Sequence, residues 1–225
     1  MRVLTWNLFH GRSRPAGGSD LLDAFASLLA GWSWDVAMLQ EVPPWWPAPL
    51  AQRCRAEQRT ALTSRNSLLP LRHAIARRWP DLAKSNGGGA NAVLARTPIA
   101  SARSVRLRYQ PERRVAQLAK LTGGTVIANF HASTRVALAQ EELDRLIELA
   151  FVDAEGGPAV LGGDLNLRAP HAPGALVHVA ARDVDHLFAA GLRPVGQSLL
   201  HERRVIVAGR TVELSDHPPL EVELA

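Results

Sequence analysis

The sequence predicts a mixed α/β fold in which strands outnumber helices. Three observations point that way. Short apolar runs recur along the 225 residues, stretches with helical apolar spacing separate some of them, and acids, amides or imidazoles stand where the runs end. Arg2 to Leu8 reads as a strand, followed by a loop around Gly11, Gly17 and Gly18. Ser19 is placed to cap a helix whose Leu21, Leu22, Phe25, Leu28 and Leu29 share one face. Asp35 to Glu41 is a short, mostly apolar strand ending in a carboxylate, and strand–helix–strand is already an α/β unit.

Pro43, Pro44 and Pro47 exclude regular structure around Trp45 and Trp46, because proline fixes φ and lacks a donor. Such a tryptophan pair either plugs a loop onto the core or offers a stacking face to a base or sugar. Residues 48–80 read as helical and arginine-rich, and Gly87-Gly88-Gly89 as a turn. Asn91 to Arg96, Ser104 to Tyr109, Val115 to Leu121 and Thr125 to Phe130 are further strands, the last two joined at Gly123-Gly124. A helix from about Thr134 places Leu143, Leu146, Ile147 and Ala150 together. Val160 to Asn166, Arg182 to Phe188, Val205 to Val207 and Leu220 to Leu224 complete the strands.

Composition sets broad limits. Hydrophobic residues at 47% and charged residues at 21% are ordinary for a globular protein. No linker, charge block or repeat divides the chain, so residues 1–225 are expected to form one domain. The net charge of +5 favours an anionic partner, and with only two lysines nearly all of the basic charge is arginine. Cys54 stands alone, which excludes an intrachain disulfide and a cysteine-rich zinc site. No apolar run is long enough to span a membrane and no signal-like segment is evident, so a cytoplasmic protein is expected.

The most informative stretch is Val160-Leu161-Gly162-Gly163-Asp164-Leu165-Asn166. Glycine permits a tight turn or a close approach of another chain segment. On an extended backbone Asp164 and Asn166 would project together, pairing a proton or cation acceptor with an amide donor. An Asx turn that merely closes a loop is the competing explanation. Four other segments carry the same feature: Trp6-Asn7, Gln40-Glu41, Asn129-Phe130-His131 and Ser215-Asp216-His217, with Asp185 as a sixth point.

In order and local wording these segments resemble the endonuclease/exonuclease/phosphatase family of DNase I-like and exonuclease III-like proteins, from Trp6 to Leu224. The resemblance implies a four-layered α/β sandwich, with two mixed sheets face to face and helices outside. It also implies Mg²⁺-dependent cleavage of a phosphate ester, with Mn²⁺ as an alternative ion. Glu41 would be the main metal carboxylate, with Asn7 and Asp216 beside it. Asp164 would orient or deprotonate the attacking water, Asn166 would hold the phosphate, and His131 would donate to a phosphate oxygen. His217 would be the catalytic histidine, partnered by Asp185 rather than Asp183. Asn91, Arg113 and Trp45 are expected as substrate contacts.

The chain departs from abasic-site endonucleases in two ways. Phe9 stands where those enzymes carry a second polar residue, and only eighteen residues separate Asn166 from Asp185. A compact nuclease or general phosphodiesterase is therefore the expected activity. The alternatives are a phosphatase or phospholipase acting on a small or lipid phosphate, and a catalytically silent scaffold that binds phosphate-bearing partners.

Overall fold

The structure is a computed structural model that describes residues 1–63, 66–79 and 89–225. In chain order its elements are β1 (Arg2–Asn7), a 3-10 turn (Phe9–Gly11), β2 (Ser13–Arg14), α1 (Leu22–Gly31), β3 (Val36–Val42), α2 (Pro47–Cys54), β4 (Glu57–Thr63) and α3 (Leu69–Arg78). Then come β5 (Gly89–Ala95), β6 (Ile99–Arg108), β7 (Arg114–Leu121), β8 (Val126–His131), α4 (Val136–Ala154), β9 (Ala159–Asp164), β10 (Val177–Arg182) and β11 (Asp185–Ala190). β12 (Leu199–Leu200), β13 (Arg204–Val207), β14 (Arg210–Leu214) and β15 (Leu220–Glu223) close the chain.

Two six-stranded sheets result, ordered β12-β15-β1-β3-β5-β4 and β10-β11-β9-β8-β7-β6, with a small third sheet, β13-β14-β2. Each large sheet contains one parallel pair, β1–β3 and β8–β9, amid antiparallel neighbours. A parallel pair needs a crossover, and α1 and α4 supply the two.

Three apolar clusters define the layers. One joins the outer face of the first sheet (Leu4, Trp6, Leu39, Leu94) to Phe25 and Leu29 of α1 and Leu50 of α2. Another joins Leu118, Phe130 and Leu161 to Leu143, Leu146 and Ala150 of α4. The third lies between the sheets, where Val3, Met38, Val93, Ile127, Val160 and Leu187 meet. This is the four-layered α/β sandwich, helices outside two facing sheets. Among the described residues no helix is long and apolar enough to cross a membrane.

Several expectations are corrected. Residues 48–80 are not continuously helical: α2 ends at Cys54 with Arg55 in the left-handed region, and β4 then pairs with β5 at the sheet edge. Only Ala61 of that strand is fully buried, so its sequence lacks the apolar alternation of an inner strand. Asp20, not Ser19, satisfies the start of α1, its carboxylate accepting the Leu22 N–H at 2.9 Å. Arg182 to Phe188 is not one strand, because Asp183 at φ 53° turns β10 back into β11. Of the expected Gly87-Gly88-Gly89 turn, Gly87 and Gly88 lie outside the described residues, and Gly89 opens β5.

Candidate active site

Period-two alternation places the functional side chains. In β1 the face toward the second sheet reads Val3, Thr5, Asn7, in β8 Ile127, Asn129, His131, and in β9 Val160, Gly162, Asp164. Each face is apolar at one end and ionisable or amide-bearing at its C-terminal end, with a buried polar residue between them in β1 and β8 and Gly162 in β9. Both parallel pairs end at the same edge, so the carboxyl ends of four strands meet there, as in other open α/β sheets.

The middle layer is a clasp of buried amides between the sheets. Gln40 Nε2 donates to Asn129 Oδ1 (2.8 Å) and Thr5 Oγ1 (3.1 Å). Asn129 Nδ2 donates to the carbonyls of Leu39 (3.0 Å) and Ala92 (3.1 Å), and Gln117 Nε2 to that of Arg59 (2.7 Å). Asn91 belongs to this layer. It is 1% exposed and its Nδ2 donates to the Val115 carbonyl at 3.1 Å, so the expected substrate contact is instead a sheet-to-sheet bond.

Glu41 breaks the alternation. Its φ of 49° and the register shift between Leu39 and Val42 turn it toward the second sheet, beside the layer to which Gln40 points. Its carboxylate contacts two histidines: Oε2 is 3.0 Å from His10 Nε2 and Oε1 is 3.8 Å from His131 Nδ1. Burial raises the Glu41 pKa, but the His10 hydrogen bond and the charges of His10, His131 and His217 outweigh it and bring the pKa to about 2. The site therefore holds a carboxylate that stays ionised. His10 was not anticipated from sequence. It reaches Glu41 because Phe9 and His10 both adopt positive φ (49° and 55°). Burial lowers the pKa of His131 despite the nearby Asp164 and Glu41.

The Gly-Gly pair explains how β9 brings in Asp164. A Cβ on Gly162 would lie 2.0 Å from the His186 carbonyl oxygen, and one on Gly163 would lie 2.1 Å from that of Phe130. At φ of 146° and 129° the two strands flanking β9 approach where only glycine fits. Asp164 is then fixed from two sides: Oδ2 accepts Asn7 Nδ2 at 2.8 Å, and Oδ1 accepts the Asn166 N–H at 3.1 Å. That second bond is an Asx turn, so the turn and the site are one feature. Asn166, at φ 50°, donates Nδ2 to the Ala132 carbonyl (2.9 Å) and lines the cavity with Asp164.

His217 completes the arrangement. Its Nδ1 donates to Asp185 Oδ2 at 2.8 Å, while Asp183 faces Arg168 at 3.4 Å on the surface. Its Nε2 lies 3.8 Å from Asp164 Oδ2, about the span at which one shared oxygen atom could contact both. Burial pulls the His217 pKa down, but the hydrogen bond and charge of Asp185, with Asp164 and Asp216, push it to about 9. Burial pushes Asp185 up to about 6 against the pull of His217. The two shifts oppose each other as to which partner holds the proton. Because the histidine titrates higher, the pair rests as imidazolium beside carboxylate.

Asn7, Glu41, His131, Asp164, Asn166, Asp216 and His217 line one cavity of about 1270 Å³ at this edge, together with Arg113. A second cavity of about 680 Å³ shares Asn166, Asp216 and His217 and adds Asp185, so the centre lies between two depressions. Asp216 Oδ2 accepts Arg14 Nη2 at 2.7 Å, and its Oδ1, 4.0 Å from His217 Nε2, is buried with no hydrogen-bond partner among the described residues. Trp45 lines neither cavity. It stacks on His73 (4.7 Å between ring centroids), while Trp46 packs on Phe25 and covers Gly11, so the tryptophan pair holds a loop to the core.

The sequence matches the endonuclease/exonuclease/phosphatase family over residues 4–217. The chain belongs to that family. A comparison with curated protein sequences finds no match. Among solved structures, the endonuclease/exonuclease/phosphatase protein from Beutenbergia cavernae superposes with a TM-score of 0.73 at 19% identity, covering 100% of this chain and 71% of that one. A mannosyl-6-phosphatase from Bacteroides thetaiotaomicron gives 0.73 at 15% identity, covering 100% and 99%. TDP2 from Caenorhabditis elegans gives 0.69 at 18% identity, covering 99% and 73%. At these identities the likeness is one of fold.

Proposed function

We propose that this family member is a divalent-metal-dependent phosphodiesterase that hydrolyses nucleic acid, with residues 1–225 working as one unit in the cytoplasm. The observation that carries the reading is the Asp185–His217 ion pair, which points Nε2 to within 3.8 Å of the Asp164 carboxylate beside the ionised Glu41.

The donors present suit a hard cation. Glu41 stays charged, and among the described residues Asp216 Oδ1 is buried with no hydrogen-bond partner and Asn7 Oδ1 accepts only the Phe9 N–H at 2.9 Å, keeping one lone pair. Glu41 would hold Mg²⁺ or Mn²⁺, with Asn7 and Asp216 beside it. Ligand atoms of Asp164, Asp185 and His217 also lie within 4.8 Å of one another. Their facing atoms are already committed, since Asp185 Oδ2 accepts a hydrogen bond from His217 Nδ1 and Asp164 Oδ2 accepts one from Asn7 Nδ2. A bound divalent ion would polarise the phosphoryl oxygen and help to activate water.

The chain's own groups do the rest. Asp164, held by Asn7 and Asn166, orients the attacking water and accepts its proton. The His217 imidazolium donates through Nε2 to an oxygen of the phosphorus centre as charge develops there. Asp185 fixes the tautomer and charge of that imidazole. His131, with a lowered pKa, donates from its neutral ring to a phosphate oxygen, and Asn166 holds another. A centre between two depressions suits an ester with substituents on both sides of phosphorus.

A second reading, a phosphatase, is favoured by the match in size with the mannosyl-6-phosphatase, 99% of which this chain covers. Plasmid nicking and phosphate release from inositol phosphates, each with and without Mg²⁺, separate the two. Nicking that needs the metal supports the proposal. Metal-dependent phosphate release without nicking overturns it in favour of the phosphatase.

A further inference from the structure

The large cavity is lined by groups of both charges. Glu41, Asp164 and Asp216 belong to the catalytic centre. Arg12, Arg72 of α3 and Arg113 just before β7 line the same cavity, and none of them makes an ion pair among the described residues. Among the described residues the Arg12 side chain only donates Nε to the Phe9 carbonyl and lies over that ring at 4.0 Å, whereas Arg114 is paired with Glu112. Arg72 Nη1 and Arg113 Nε are shielded from solvent with no acceptor among the described residues. A guanidinium donor removed from water without an acceptor is costly, and an oxyanion is the group that relieves it. Thr63 and Ser67 line the same cavity.

The cavity on the other side of His217 differs in its ion pairs, although Arg203 Nε there is likewise shielded with no acceptor among the described residues. Arg14 meets Asp216 at 2.7 Å, Arg203 meets Glu213 at 3.0 Å, and Arg204 meets Glu213 at 3.2 Å. Only the exposed Arg182 lacks an ion pair there among the described residues. Uncompensated positive charge is thus concentrated on one side of the catalytic centre.

We propose that Arg72 and Arg113, assisted by Arg12, form a second phosphate site, so that the substrate carries another phosphate beyond the one being cleaved, on the side of α3. This rests on the phosphoesterase reading and narrows it to substrates with at least two phosphates. The next phosphate of an oligonucleotide and the second group of a small bisphosphate share that chemistry. Tyr109, 68% exposed on the cavity rim, offers a stacking face to a base and favours the oligonucleotide.

The test begins with calorimetric binding of inorganic pyrophosphate to chelator-treated protein at low salt, which needs neither metal nor turnover. The native protein should bind it, and Arg72→Gln/Arg113→Gln should weaken binding at least tenfold, while Arg204→Gln should bind like the native protein. Absence of native binding, or equal binding by the double variant, overturns the proposal. Should the Gln pair melt early, Arg72→Lys/Arg113→Lys decides. It keeps the charge and loses the planar fork, and affinity equal to the native value counts against the site.

KM is then compared for bis(p-nitrophenyl) phosphate, a 5′-phosphorylated trinucleotide and an inositol bisphosphate. The Gln pair should raise KM for a multi-phosphate substrate at least tenfold more than for the small diester, with the trinucleotide most affected. An equal rise for all three overturns the proposal, and a rise confined to the bisphosphate overturns the oligonucleotide as its source. Pyrophosphate binding that depends on the two arginines, with no ester hydrolysed under any divalent metal, keeps the anion site and removes the phosphoesterase reading.

Discussion

Asp185→Asn is the most informative single substitution, because the structure fixes what it removes. Asparagine keeps the shape but loses the charge that outweighs burial and, through the 2.8 Å bond to Nδ1 and with Asp164 and Asp216, lifts His217 from 6.5 to about 9. That gap corresponds to roughly 3 kcal/mol in favour of the imidazolium. With the charge gone, burial dominates and the His217 pKa falls back toward 6.5. At pH 8 a histidine titrating near 9 is roughly 90% protonated and one near 6.5 only about 3%. If the imidazolium is the working form, kcat at pH 8 should fall at least about 30-fold from protonation alone, and further from lost orientation.

Stability should respond far less. His217, raised above its unfolded value, contributes stability that is complete below pH 6.5 and lost as pH rises through about 9. Asp185, raised from 3.8 to about 6, costs stability that grows between those values and persists above them, again roughly 3 kcal/mol. At pH 7 the two nearly cancel, so the variant should melt close to the native protein. The assay is a proton NMR titration of His217 in metal-free protein, alongside melting curves and kcat. A His217 resonance that still titrates near 9 in Asp185→Asn would refute the reasoning.

Glu41→Gln should lose metal binding in a calorimetric titration and cost hydrolysis more than about 100-fold, beyond what merely supporting residues cost. An unchanged titration would remove Glu41 as a ligand. Gly163→Ala should lose more than about 4 kcal/mol, because the new Cβ meets the Phe130 carbonyl oxygen at 2.1 Å. A melting temperature within a few degrees of native would contradict the close strand approach. Asn91→Ala should cost about 1–2 kcal/mol through the lost bond to Val115, with KM changed less than twofold. A tenfold KM rise would return Asn91 to the substrate.

The parts of the site legible in the sequence are those fixed by strand period. Asn7, His131 and Asp164 end apolar runs at the correct parity, and parity survives any error in where a strand begins. Glu41 is legible as a candidate from its type, although its inward turn depends on a bulge and a positive φ that no pattern announces. His10 was missed for the same reason. Its approach to Glu41 needs two consecutive left-handed residues, and the only written hint is the Gly11 that follows, where a Cβ would strike the Trp46 ring at 2.4 Å. Asn91 and Trp45 were misplaced because an amide or a tryptophan near a strand end looks alike whether it faces the inter-sheet layer, a neighbouring helix or the cavity. β4 resembled a helix because its polar edge strand buries so little.

The central claim is that Asp164, His217 and the ionised Glu41 work together on a phosphate ester. It is tested most directly by hydrolysis of bis(p-nitrophenyl) phosphate by chelator-treated protein, before and after Mg²⁺ or Mn²⁺ is restored, with native protein and Asp164→Asn side by side. Turnover that appears only with the metal, and falls at least about 100-fold in the variant, is the expected result. Equal turnover by the two proteins, or native turnover indifferent to the metal, would contradict it.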